Sequence, residues 1–213
     1  MQFINKITDT LKHQMRNGIV LAVVLGSVFL MNAQESTTYG LKMGVNSTNV
    51  FASFPDDMSR KTGFHIASFV RFHITEELIY FQTELGYSRK GSEVNFGLNA
   101  YDLNLDYLEV PLLLSIGKKN MSFVEIGGYM SYLINSNVSN TISPSSTNLD
   151  PSDLNNFDYG LSLGLNFNYE QYTIGARYHY GLADLGNGSM KDLLGEQSRN
   201  RSFQIYVSYS WLK

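Results

Sequence analysis

The stretch Phe157–Tyr169, FDYGLSLGLNFNY, decides the fold class. Phe157, Tyr159, Leu161, Leu163, Leu165, Phe167 and Tyr169 alternate without a break with Asp158, Gly160, Ser162, Gly164, Asn166 and Asn168. A period of two places one set on each face of a β-strand, and helical spacing is absent. The same rhythm runs outward in both directions. Downstream, Tyr172, Ile174, Ala176, Tyr178 and Tyr180 alternate with Thr173, Gly175, Arg177 and His179, and Phe203, Ile205, Val207, Tyr209 and Trp211 with Gln204, Tyr206, Ser208 and Ser210. Upstream, five more segments repeat it, around Tyr39–Val45, Phe64–Ile74, Ile79–Tyr87, Leu103–Ile116 and Phe123–Ile134. That makes about eight strands of about ten residues or a little more, the length a tilted strand needs to cross a bilayer.

Alternation alone does not separate a membrane barrel from a soluble sandwich, so the connections decide. Thr75–Glu77, Gly117–Asn120 and Glu170–Gln171 read as tight turns, whereas Phe51–Lys61, Arg89–Ala100, Asn135–Asn156 and Ala183–Arg199 read as long polar loops. Short and long links alternate, as an up-and-down barrel with short periplasmic turns and long external loops requires. Aromatics agree: Tyr39, Phe64, Phe72, Tyr87, Phe157, Tyr169, Tyr172, Tyr180, Phe203 and Trp211 fall near strand ends with aliphatic residues between them. Two interfacial girdles produce that arrangement.

The first residues set the compartment. Lys6, Lys12 and Arg16 precede the apolar run Ile19–Met31, which is followed by Asn32, Ala33 and Gln34. This is the order of a signal peptide, with the cut expected after Ala33. The run is shorter than the ~18 residues of a spanning helix. The expected organisation is therefore a cleaved signal peptide over 1–33 and one all-β domain over 34–213, an antiparallel up-and-down transmembrane β-barrel. Composition fits. The 213 residues carry a net charge of -3 and no cysteine, so there is no basic footprint for nucleic acid, no disulfide framework and no thiolate site. Aromatics reach 13%, while a mean hydropathy of -0.15 hides the lipid face because half of each strand is polar.

Phe81–Gly91 (FQTELGYSRKG), Tyr107–Leu114 (YLEVPLLL), Val124–Leu133 (VEIGGYMSYL), Phe157–Gly164 (FDYGLSLG) and Gly175–Leu182 (GARYHYGL) resemble the PorT-like outer-membrane β-barrel proteins of Bacteroidetes. The resemblance spans nearly all of the expected mature chain. It implies an outer-membrane barrel of about eight strands, in a family whose name comes from a protein connected with secretion. The end departs from the pattern: such chains usually finish on an aromatic, whereas Leu212 and Lys213 follow Trp211.

The inward phase collects Lys42, Arg71, Glu84, Glu109, Glu125 and Arg177. A barrel of about eight strands has room only for its own side chains, so charges of both signs are expected to pair into an interior ionic plug of structural role. His65, His73 and His179 share that phase, but His65 and His73 lie too far apart on one strand, at ~3.3 Å per residue, to grip one ion. His179 with Asp184 is the nearest base and carboxylate for a hydrolase or acyltransferase, with no nucleophile identifiable. The Ser- and Asn-rich segment Asn135–Asn156, with Asp150 and Asp153, reads as a solvated loop. Asn46, Asn120, Asn137, Asn187 and Asn200 open N-x-S/T patterns that have no role in a bacterial outer membrane.

The sequence thus leads to a non-enzymatic, monomeric outer-membrane protein without cofactor or metal. Its partners would be outer-membrane lipid and an envelope protein met through the external loops, in scaffold, contact or secretion and assembly support. Three alternatives stand beside it: a soluble barrel holding a small apolar ligand, a membrane-embedded hydrolase or acyltransferase, and a small pore.

Overall fold

In the computed structural model the alternation of Phe157–Tyr169 becomes a burial pattern. Phe157 to Phe167 on the apolar phase are exposed, while Asp158, Gly160, Ser162, Gly164 and Asn166 are buried. The structure describes residues 37–51, 58–75, 78–96, 99–118, 121–140, 145–148, 154–186 and 198–211. The expected leader, Asp150, Asp153, Asn120, Asn187 and the terminal Leu212 and Lys213 lie outside them.

The strands are β1 (Thr37–Phe51), β2 (Met58–Thr75), β3 (Ile79–Phe96), β4 (Asn99–Gly117), β5 (Ser122–Asn140), the short β6 (Ser145–Asn148), β7 (Phe157–Tyr169), β8 (Tyr172–Gly181) and β9 (Arg199–Trp211). The short β6 aside, strands that follow one another in sequence are neighbours in the sheet, with β7 pairing β5. β9 returns to pair antiparallel with β1, from Tyr39 opposite Trp211 to Phe51 opposite Arg199, and the β4–β5 pairing joins the two halves. The result is a closed antiparallel barrel of eight strands, with β6 added beside the outer part of β5. Among the described residues no helix is long and apolar enough to cross a membrane, and the crossing is made by strands.

The apolar phase points outward on the eight barrel strands, among the described residues. Leu41, Met43 and Val45 of β1, Leu161, Leu163 and Leu165 of β7, and Ile205 and Val207 of β9 are all about half exposed, whereas their alternating neighbours Lys42, Ser162 and Tyr206 are buried. Such an exposed apolar belt is stable only against lipid. A soluble barrel for an apolar ligand needs the reverse arrangement. Leu108 is 43% exposed and Tyr107 fully buried, which fixes the register of β4 as the sequence indicates.

Three of the long connections differ from the reading above, Arg89–Ala100, Asn135–Asn156 and Phe51–Lys61. The segment Arg89–Ala100 is not a loop: β3 and β4 stay paired from Arg89 opposite Asp106 to Phe96 opposite Asn99. β5 runs on to Asn140 and β6 falls within Asn135–Asn156, while β2 already begins at Met58. Past the bilayer no lipid requires an apolar outer face, so the sequence loses its alternation while the backbone ladder continues. At the other end the turns are tight, and Glu170 between β7 and β8 holds the left-handed φ of 54° that a two-residue hairpin demands.

Replacing Leu163, mid-strand on the outer wall, by Arg is expected to lower stability by ~2 to 4 kcal/mol. Urea titration of the protein folded into phosphocholine vesicles measures it, and a loss under ~1 kcal/mol would place Leu163 on a polar face.

Candidate functional site in the barrel interior

Inward-pointing side chains meet in two groups stacked along the barrel. The first surrounds Arg177 of β8. Its Nη1 and Nη2 donate to Glu84 of β3 at 3.0 and 2.7 Å, and its Nη2 and Nε donate to Glu125 of β5 at 2.7 and 3.2 Å. Lys42 of β1 donates to Glu84 Oε1 at 2.5 Å and lies 4.0 Å from the centre of the Tyr206 ring. Gln82 joins the carboxylates to Arg71: its Nε2 donates to Glu84 at 2.7 Å, and its Oε1 accepts from Arg71 Nε at 2.9 Å. Arg71 also sits against the faces of Phe69, Tyr80 and Phe123, which fill the barrel toward the short turns. Tyr80 hydroxyl donates to the Gly117 carbonyl at 2.5 Å and so ties that aromatic floor to a turn.

Tyr206 completes the group from β9, its hydroxyl lying 3.2 Å from Glu125 and 2.8 Å from Asn166. The phenol passes over Gly175, where an added Cβ would lie 2.5 Å from the ring and 2.3 Å from the Asn166 amide oxygen. Glycine is required there for that approach.

The second group lies toward the long-loop end. Lys90 of β3 pairs with Glu109 of β4 at 2.6 Å and Asp158 of β7 at 3.7 Å, between the rings of Tyr107 and Tyr129. Ser131 donates to Glu109 at 3.2 Å, and Asn200 donates to Asp158 at 3.1 Å. His179 has its Nε2 at 3.5 Å from Glu109 and its Nδ1 at 2.8 Å from the Ser162 hydroxyl, with the Tyr129 ring edge-on. Above this group Val50, Leu103, Leu105, Tyr107, Leu133, Leu154 and Leu185 form an apolar cluster. Leu154 and Leu185 enter it from the loops, held by Asn155 N–H to the Leu185 carbonyl at 2.9 Å and Leu185 N–H to Ser198 at 2.7 Å.

All six charged residues picked out by phase are buried. Lys42, Arg71, Glu84, Glu125 and Arg177 belong to the first group and Glu109 to the second. Two partners escaped. Asp158 carries the inward phase in the stretch that opened the sequence reading, and counting its charge would have found it. Lys90 fell in the supposed loop Arg89–Ala100. With them the interior holds, among the described residues, four cations, Lys42, Arg71, Lys90 and Arg177, and four carboxylates, Glu84, Glu109, Glu125 and Asp158, all buried, while Asp106, also buried, pairs with the part-exposed Arg89.

The histidines do not converge. His65 contacts the Asn46 amide oxygen at 2.6 Å, and His73 packs edge-on against Tyr80. No group of three metal-ligating side chains occurs among the described residues. His179 and Asp184 do not meet, because His179 points into the barrel while Asp184, past the end of β8, lies 3.8 Å from Arg199.

A closed barrel with a lipid-facing belt and a packed polar interior defines an integral membrane protein that crosses by strands. The family described as "Outer membrane protein beta-barrel domain" matches residues 32–187, most of the chain, and the protein belongs to that family. It resides in the bacterial outer membrane. Solved structures similar to it include Ail, the attachment invasion locus protein of Yersinia pestis, at 15% identity and TM-score 0.47 over 83% of this chain and 99% of that one. Neisserial surface protein A is similar at 12% identity and TM-score 0.47, over 83% and 100% of the two chains. OprG of Pseudomonas aeruginosa is similar at 12% and 0.44, over 84% and 97%. No curated protein sequence matches the chain.

Arg177→Met leaves Glu84 and Glu125 facing one ammonium, and is expected to lower stability by ~3 to 5 kcal/mol, as removal of one buried partner does. Adding Glu125→Gln restores the balance of charge and should recover part of that loss, whereas additive losses would show that the pair is uncoupled. Tyr206→Phe, which removes the hydroxyl that contacts Glu125 and Asn166, should cost less, ~1.5 to 3 kcal/mol. Urea unfolding followed by heat-modifiable migration on gels reads all three.

Proposed function

We propose that the interior is a structural ionic plug and that the protein is a non-conducting, non-enzymatic scaffold of the PorT-like kind found in Bacteroidetes. Its role is to hold its long-loop end for an envelope partner, in contact or in support of secretion and assembly. The observation that carries this reading is the balance of four cations and four carboxylates between an aromatic floor and an apolar cap. A path for ions needs a continuous column of water along the axis, and here the paired side chains fill that space instead. Orientation follows from the links, since short turns face the periplasm in outer-membrane barrels and long segments face outward.

A second reading rests on Ser162, His179 and Glu109, which have the side-chain types of an acyl-transfer triad. It is the weaker one. All three are sealed in the barrel, with Ser162 at 2% and His179 at 1% exposure, so no substrate carbonyl reaches the hydroxyl.

In planar bilayers the folded protein is expected to pass no stepwise current, and discrete conductance steps would overturn the plug. For the scaffold role, photo-crosslinking residues placed between Gly186 and Ser198 should capture the same envelope protein repeatedly, and one at Gln171 should not. Equal capture from both ends, or from neither, would remove the argument for an outward-facing contact.

A further inference from the structure

The outer wall carries a feature that the plug does not use. On β9 the lipid-facing phase runs Trp211, Tyr209, Val207, Ile205 and Phe203, and the next outward residue is Arg201. The first cation therefore stands one step past the last aromatic, at the level where hydrocarbon gives way to headgroups. On β1, Asn49 and Ser47 lie directly opposite Arg201 and Phe203. Thr48 between them donates to the Lys61 carbonyl at 3.2 Å, which brings Arg60 of β2 alongside. Arg60, Asn49, Ser47, Arg201, Tyr178 and Phe203 line one groove of about 100 Å³.

The groove is built for an anion. Arg201 is braced against the Tyr180 ring, 5.1 Å from its centre. Asn49 is fixed from behind by the Ser92 hydroxyl at 3.4 Å, which leaves its amide N–H groups available. Among the described residues three carboxylates at this end are engaged elsewhere, Asp106 by Arg89 at 2.8 Å, Asp184 by Arg199 at 3.8 Å and Asp102 by Lys61 at 3.2 Å. Arg60 is exposed, and among the described residues no carboxylate lies within 4.0 Å of it. Tyr178 and Phe203 form the inner wall and face the acyl region. A free phosphate would use only the arginines. A phosphorylated lipid would also use the aromatic wall.

We propose that this groove is a binding site for the phosphate headgroup of an anionic glycolipid in the outer leaflet, with Arg60 and Arg201 as the phosphate ligands and Asn49 as a hydrogen-bond donor. The proposal rests on the outward orientation given above, because only that orientation places the groove in the outer leaflet.

Native mass spectrometry of the folded full chain in detergent, with diphosphoryl lipid A as the probe, tests it. One lipid is expected to bind, with about a fivefold loss of affinity for each of Arg60→Gln and Arg201→Gln, the effect of one arginine at an anionic lipid surface. Lys61→Gln, whose side chain pairs with Asp102 away from the groove, serves as the control and should bind as the parent does. Dephosphorylated lipid A binding equally well, or both arginine variants binding as the parent does, would overturn the proposal. Competition by millimolar inorganic phosphate alone would overturn the lipid as the ligand and leave a free-phosphate site. Heat-modifiable migration confirms that each variant is folded. Orientation is checked separately, by protease cleavage of whole cells between Gly186 and Ser198: cleavage with no lipid binding defeats this site only, whereas protection of that segment defeats the orientation.

Discussion

A backbone that crosses hydrocarbon must find every hydrogen-bond partner within itself, and the rest of this structure follows from that requirement. Closing the sheet through β1 and β9 satisfies both edges of the barrel at once. Closure then dictates what each side chain meets. One phase faces lipid and has to be apolar, while the other faces a space that eight strands make just wide enough to fill. Polar side chains placed there lose most of their water. Each charge therefore has to be answered by another within a few ångströms, because an unanswered one costs several kcal/mol.

The distribution of the charges shows how the requirement is met. Around Arg177 the cations Lys42, Arg71 and Arg177 exceed the carboxylates Glu84 and Glu125 by one. Around Lys90 the carboxylates Glu109 and Asp158 exceed the cation by one. The excesses have opposite sign and sit one above the other, so the two groups attract along the barrel axis and the eight charges of the two groups sum to zero. Arg71 is the outlier of the first group. It is held by one neutral amide and three aromatic faces instead of a carboxylate, which suits a cation whose excess is balanced further up the barrel. Gly175 contributes by absence, since the space a side chain would take is occupied by the phenol that reaches Glu125.

Inside the membrane the sequence was legible because lipid imposes a rule on alternate residues. The eight barrel strands, their register and the inward placement of Lys42, Arg71, Glu84, Glu109, Glu125 and Arg177 all follow from that one period. Outside the bilayer the rule lapses. Asn135–Asn140 is polar at every position but Val138, and its composition does not distinguish a paired strand from a loop. Lys90 was missed for the same reason, because its strand had been ended too early. Phase also says nothing about which inward residues meet. That Arg177 contacts Glu84 and Glu125, which lie far from it in sequence, depends on strand stagger and barrel shear, and these appear only on closure. The apolar cap was hidden differently, since Leu154 and Leu185 lie in stretches whose overall character is polar.

The two ends of the barrel are sealed by different means, and the difference matters for what each can do. The short-turn end is closed by rings from within the strands themselves, Phe69, Tyr80 and Phe123, with Tyr80 pinned to a turn. The other end is closed by Leu154 and Leu185, which the loops lend to the interior and hold by backbone hydrogen bonds. Loop bases at that end are thus part of the packed interior, and displacing them would uncover apolar surface above Lys90 and its carboxylates. A partner gripping the loops would act on a rigid seat instead of a free tether. The narrowness that forces the charges to cancel is also what lets Leu154 and Leu185 pack into the long-loop end.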